Sequence, residues 1–95
     1  MTMTRQEFLK SSGLEAQTLE VWLEQEWLVP EETPAGVWFN DIDIVRAHFI
    51  QELKSDLGAN DEGIGVILHL VDQLHGMRRI LAKLREEMQR DRRTL

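Results

Sequence analysis

The side chains that could do chemistry in this chain are few and scattered. The histidines are His48, His69 and His75, and the serines are Ser11, Ser12 and Ser55. His69 and His75 are six apart, so on a helix they point to nearly opposite sides. His48 belongs to another segment. They do not make a metal-ligand set. No serine has a His/acid motif beside it, and the glycines form no phosphate loop. There is no cysteine, which excludes disulfides, thiolate metal sites and Cys nucleophiles. The spacing that does recur is acidic. Glu20 and Glu24 are four apart, and so are Glu52 and Asp56. A like-charge pair at that spacing is unfavourable within its own helix, but it presents two carboxylates on one face to a basic partner. The chemistry these residues offer is recognition of cations. We expect a non-enzymatic protein without a metal or cofactor.

The charge is unevenly placed. The chain has 95 residues and a net charge of −6. Residues 1–62 hold four Lys/Arg against thirteen Asp/Glu, a balance of −9. Residues 63–95 hold seven against four, or +3. An acidic body repels phosphate backbones and attracts basic protein surfaces, although charge also serves solubility. The length allows one domain with one modest core. No stretch reaches the apolar length needed to span a bilayer, and the start has no apolar signal core. A cytoplasmic protein is the expectation.

The elements that must position these charges are mostly helices. Thr4-Arg5-Gln6-Glu7 reads as a capping box ahead of Phe8 and Leu9. Ser11-Ser12-Gly13 ends that short helix, with Gly13 suited to a left-handed cap. A second helix runs from about Ala16 to Gln25. It carries Leu19, Trp22 and Leu23 on one face, with Val21 off it. Two short helices around a Gly-containing turn make a helix-turn-helix pattern. Pro30 prevents further helix, and Glu31 to Gly36 is polar and turn-rich. Leu28-Val29 is expected to pair with Val37-Trp38-Phe39 as a small β-hairpin wing. Asn40 caps a third helix, with Asp41 and Asp43 in its first turn, where the helix dipole favours anions. Ile42, Val45, Phe49, Leu53 and Leu57 are its expected core face, widened by Ile50. Asp56-Leu57-Gly58 ends it. Trp22, Trp27 and Trp38 are packing residues first, and Trp38, on a thin wing, is the best candidate for a surface anchor.

The last third, Asp61 to Leu95, reads as one long helix with Asp61 at its cap. Ile67, Leu70, Leu74, Met77, Leu81, Leu84 and Met88 follow a heptad over about three repeats. Ile64, Leu68 and Val71 widen the apolar surface early on, so the first half is expected to seal the core. Beyond Met77 one seam remains among charges. Leu74, Met77, Leu81, Leu84 and Met88 are therefore the expected dimer interface. The basic end, Arg90, Arg92 and Arg93, suits a helix C-terminus. Together these readings divide one domain into an acidic body, residues 4–62, and a core-sealing and dimerising helix, residues 61–93.

Helix-turn-helix, wing and two further helices resemble the MerR-type winged helix. A MerR-like DNA reader shows Thr-Leu-Arg-Tyr-Tyr on its second helix, a Leu-Leu exit and a Gly-Tyr-Arg-Tyr wing. Here stand Thr18-Leu19-Glu20-Val21-Trp22, Trp27-Leu28 and Gly36-Val37-Trp38-Phe39. The positions that frame the fold are kept. Those that touch nucleic acid are replaced: the helix Arg is Glu20, the following Tyr is Val21, and the wing Arg is Trp38. Over roughly residues 5–80 the chain also resembles the chaperone modulatory protein CbpM family, most visibly in Val37-Trp38-Phe39-Asn40-Asp41, in Gln51-Glu52-Leu53, in Leu57 to Ile64 and in Val66 to Leu74. That resemblance implies a protein that binds the J-domain of a CbpA-like, DnaJ-related co-chaperone and inhibits both its stimulation of DnaK and its DNA binding. It makes Glu20, Glu24, Trp38, Asp43, Glu52 and Asp56 the candidate partner-binding residues, with no direct contact to nucleic acid or membrane. The competing expectation is a dimeric MerR-like transcription regulator that reads DNA. A third is an acidic anti-regulator of some other protein.

Overall fold

The computed structural model describes the backbone of residues 2–94 and the side chains of residues 2–92. The Arg93 side chain of the expected basic end lies outside the described residues. The element order is β1 (Thr2–Met3), α1 (Arg5–Ser12), α2 (Ala16–Glu24), β2 (Glu31–Thr33), β3 (Gly36–Asn40), α3 (Asp41–Ser55) and α4 (Asp61–Thr94). The fold is mainly helical with a small antiparallel sheet of order β1-β3-β2, as a winged helix-turn-helix requires. The chain separates into two compact units, Met1–Gly65 and Val66–Leu95.

The first unit forms where local signals and burial agree. Thr4 caps α1 through a complete capping box: the Glu7 N–H donates to Thr4 Oγ1 at 3.2 Å, and the Thr4 N–H donates to Glu7 Oε1 at 3.1 Å. The Thr4 N–H, and to a lesser degree the Thr4 hydroxyl, hold the Glu7 carboxyl below its ordinary pKa by hydrogen-bonding its charged form. Gly13 takes the left-handed conformation at φ 75°, and its N–H closes on the Leu9 carbonyl. The helix-turn-helix corner is then held by buried Ser12, whose hydroxyl accepts from the Leu14 N–H at 3.2 Å. Phe8, Leu19, Leu28, Phe39, Ile50 and Ile64 are fully buried. Phe8 stacks on Phe39 with ring centroids 4.4 Å apart, and Trp22 lies tilted against Trp27 at 6.1 Å. Such ring pairs contribute about 0.5–1.5 kcal/mol beyond the area they bury.

Three expectations shift. The wing pairs β2 with β3, in register Glu31↔Trp38, Glu32↔Val37 and Thr33↔Gly36, around Pro34-Ala35. The partner strand is thus Glu31–Thr33, not Leu28-Val29. Leu28 is buried in the core, and Pro30 has no N–H to give a ladder. An edge strand open to water tolerates the two glutamates that read as a turn. A further strand, β1, pairs Met3 with Phe39 on the other side of β3 and buries Met3.

The second shift is the rotation of α3. Its buried residues are Asp43, Ala47, Ile50 and Leu53. Ile42 and Val45, expected in the core, are 74% and 68% exposed, Phe49 is half-buried and Leu57 is exposed beyond the helix end. The cause lies at the helix start. The Asn40 N–H donates to Asp43 Oδ2 at 2.9 Å, and the Asp43 N–H donates to Asn40 Oδ1 at 3.2 Å. Asn40 also ends β3, where it pairs with Thr2. The capping box therefore draws Asp43 to the sheet side, and small Ala47 faces inward one turn later. The third shift is the cap of α4. It is Asn60, whose Oδ1 accepts the Gly63 N–H at 2.7 Å, while Asp61 is the first helical residue and pairs with Lys54 at 3.2 Å.

In the second unit, Leu68 is the one buried residue among the described side chains, and Ile67 and Val71 are half-buried. Leu70, Leu74, Met77, Ile80, Leu81, Leu84 and Met88 are exposed. At 1.5 Å per residue the continuous helix α4 is about 50 Å long. Among the described residues no helix is long and apolar enough to cross a membrane.

Glu26 is the one non-glycine with positive φ among the described residues, at 60°. It follows the end of α2, where the Trp27 N–H reaches back to the Trp22 carbonyl at 3.0 Å. This is the site a glycine normally fills, because a Cβ is strained there. Glu26→Gly should raise stability by about 0.5–1 kcal/mol, seen as a Tm higher by roughly 2–8 °C in thermal unfolding. A lower Tm would show that the Glu26 side chain stabilises the turn.

Candidate protein-binding surface

The residues singled out for recognition fall into three environments. Glu20 and Glu24 stand on the exposed side of α2, opposite buried Leu19 and Trp22. Glu20 forms an ion pair with Arg5 of α1. Both side chains are about half exposed, so the pair contributes little to stability, but it neutralises part of the local charge. Glu24 closes the last turn of α2 and carries its charge where the helix dipole is already negative. An acid kept in that position is unfavourable for the helix.

Glu52 and Asp56 are exposed on α3 and at its C-cap. The Asp56 carboxylate accepts a bond from the neighbouring Ser55 hydroxyl at 3.3 Å. Trp38, on β3, is half-buried and stands opposite Glu31 of the paired strand. Among the described residues α3 packs on α1 and β3, and α2 shares no extensive contact with it. The two acidic pairs stand on different elements, one on α2 and the other at the end of α3.

Asp43 leaves the candidate set. It is only 8% exposed, and its carboxylate is engaged in the capping box. Burial pushes its pKa above the ordinary 3.8, against the lowering effects of the Asn40 N–H and the Arg46 charge. Its carboxylate caps the start of α3, and little of it is open to water.

The positive groups nearby are engaged within the protein. The Arg46 guanidinium donates to the Trp27 carbonyl. Lys54 pairs with Asp61 and sits 6.0 Å from the Trp27 ring centroid. Trp27 also closes on α4: a Cβ at Gly65 would stand 4.0 Å from its indole nitrogen. His48, His69 and His75 are all exposed, and the described residues hold no group of three or more acids or imidazoles placed for a metal.

Sequence reasoning missed the outer stripe of α3. Ile42, Val45, Phe49, Glu52 and Asp56 follow one another at intervals of three and four, so they share one helix face. The same spacing had suggested the core. The distinguishing signal was in its second half, where two acids continue the apolar line.

What these features define is a small winged helix-turn-helix protein with an acidic, water-facing recognition helix and no catalytic constellation among the described residues. The chain belongs to the MerR HTH family of regulatory proteins, whose family model matches residues 3–86. No curated protein matches it. Its departures from a DNA-reading MerR pattern now have positions. Leu19, Trp22, Leu28 and Phe39, which frame the fold, are buried, whereas Glu20 and Val21 are exposed and Trp38 half-exposed.

A carboxyl whose pKa is higher folded than unfolded destabilises the fold when ionised. The contribution of Asp43 is therefore best below pH 3.8 and declines as pH rises through the window just above it. Asp43→Asn keeps the acceptor for the Asn40 N–H and removes the desolvated charge. Urea unfolding across this range should show the variant gaining on the native protein toward neutral pH. A variant that loses ground as pH rises would mean that the ionised carboxylate is stabilising.

Proposed function

We propose that this protein is a binding module that inhibits a co-chaperone: a chaperone modulator of the CbpM type, which covers the J-domain of a CbpA-like, DnaJ-related partner and thereby blocks its co-chaperone and DNA-binding activities. The observation that carries this reading is the charge on the recognition helix. Where a MerR-type DNA reader places an Arg, this chain exposes Glu20, with Glu24 one turn on. An Arg at a phosphate contact gains affinity by releasing counterions, and a carboxylate there is repelled. The exposed side of α2 offers Gln17, Gln25 and half-buried Thr18, too few donors to read a groove. A J-domain presents a basic helix to DnaK, and the first 62 residues of this chain balance to −9, so competition by occlusion has a favourable electrostatic basis.

The same reading makes the protein a homodimer through α4. Leu74, Met77, Leu81, Leu84 and Met88 form a heptad seam on a helix that nothing in its own unit covers, and Leu81 is 64% exposed. An isolated helix with such a seam is marginal in water and gains its order by pairing.

A side-by-side titration tests the function. The isolated J-domain of the organism's DnaJ-related DNA-binding protein should bind, more weakly as salt rises, and mixed duplex DNA should give no shift. A sequence-selective DNA shift without J-domain binding would transfer the protein to the DNA-reading regulators of its family. For the dimer, sedimentation equilibrium should give twice the 11.1 kDa chain mass, and Leu81→Glu should give the monomer. A native protein that stays monomeric at tens of micromolar would remove the seam from this account.

A further inference from the structure

The exposed stripe on α3 is unusual because its two halves differ in chemistry. Ile42 and Val45 are apolar and open to water, Phe49 is half-buried beside them, and Glu52 and Asp56 extend the line to the helix end. Core packing does not account for Ile42 and Val45, since α3 seals the core with Ala47, Ile50 and Leu53. Solubility does not account for them either, because β-branched apolar groups add nothing to it. The two cations that α3 carries, Arg46 and Lys54, are held by the Trp27 carbonyl and by Asp61. The face therefore combines an apolar half with an acidic half and shows no lysine or arginine of its own.

We infer that this face of α3 docks a basic amphipathic helix of a partner protein, whose apolar side covers Ile42, Val45 and Phe49 and whose Lys/Arg side meets Glu52 and Asp56. The charge selects the occupant. A second copy's acidic body would bring carboxylates against carboxylates, the apolar seam of its basic α4 is already committed to the dimer proposed above, and nucleic acid would bring phosphates against the acids. Helix-on-helix docking also matches the shape of the site, a single row with spacings of three and four. The apolar half supplies the desolvated contact that holds the complex, while the acidic half sets orientation and speeds encounter. This placement rests on the co-chaperone reading only for the identity of the partner. It assigns the principal contact to α3 and gives α2 a minor part.

The test uses the full-length protein, the J-domain named above, and a synthetic amphipathic helical peptide of leucine and lysine, with its glutamate-for-lysine counterpart as control. Val45→Asp removes apolar surface yet adds negative charge, on an exposed helix position where folding is insensitive. Its Tm, checked by circular dichroism, should match the native protein. We expect Val45→Asp to weaken both the J-domain and the leucine/lysine peptide by about tenfold or more, and Glu52→Lys with Asp56→Lys to weaken both by a similar factor. Glu24→Lys, on α2, should weaken both ligands by a clearly smaller factor than Glu52→Lys with Asp56→Lys. The acidic peptide should not bind.

Unchanged or tighter binding by Val45→Asp, or an equal loss from Glu24→Lys, would overturn the placement while leaving the co-chaperone reading intact. Peptide binding that is lost in Val45→Asp, without any J-domain binding to the native protein, would uphold the face and overturn that reading. No binding of either ligand by the native protein would overturn both.

Discussion

The junction between β3 and α3 is the constraint on which the body depends. Three residues carry it. Phe39 anchors the strand in the core, stacked on Phe8. Asn40 pairs with Thr2 in the sheet and caps the helix. Asp43 returns the bond to Asn40. Because strand and helix meet with no loop between them, the helix has little freedom to rotate. The sheet fixes Asn40, the capping box fixes Asp43, and the helical repeat then carries Ala47, Ile50 and Leu53 inward. The cost is a carboxylate that burial disfavours. The return is that Ile42, Val45, Glu52 and Asp56 are held outward on a rigid element.

Much of this architecture could be read from local chemistry. The Thr4 capping box, the Gly13 turn, the extent of α2, the start of α3 after Asn40 and the length of α4 follow from short-range rules, because each depends on residues within one turn. The errors share a cause. Apolar periodicity says that a face exists, but not which neighbour covers it. On α3 the stripe Ile42-Val45-Phe49 satisfied the helical repeat as well as Ala47-Ile50-Leu53 does. The decision was made by a hydrogen bond from β3, which periodicity does not see. On the wing, Glu31 and Glu32 read as turn because they are polar, yet an edge strand needs only a partner ladder on one side. Glu20 was visible as an exposed acid, but its ion pair with Arg5 was not, since it spans α1 and α2.

The chain keeps the MerR frame beneath an acidic surface. Leu19, Trp22, Leu28 and Phe39 occupy the framing positions of the MerR pattern and are buried here. A core of that kind constrains volume and apolarity, and it is indifferent to what stands on the outer faces. Exposed positions can therefore exchange Arg for Glu at a cost of tenths of a kcal/mol in stability, whereas the same exchange inverts the interaction with a polyanion. Family membership accordingly gives the frame, and the partner has to be argued from the outer faces.

The outer faces differ in what they can hold. Acidic groups alone attract any cation, weakly and with strong dependence on salt, so they raise encounter rates without choosing a partner. Selection requires a contact that water disfavours and that only a matched shape can cover. On α2 the exposed side is charged, one glutamate is already paired to Arg5, and Val21 is its one large exposed apolar side chain. On α3 two β-branched side chains stand open beside two carboxylates on a helix fixed by the sheet. A rigid support lowers the entropy lost on docking, because the side chains are ordered before the partner arrives. The helix whose rotation the capping box dictates thus carries exposed apolar and acidic groups together on one rigid face.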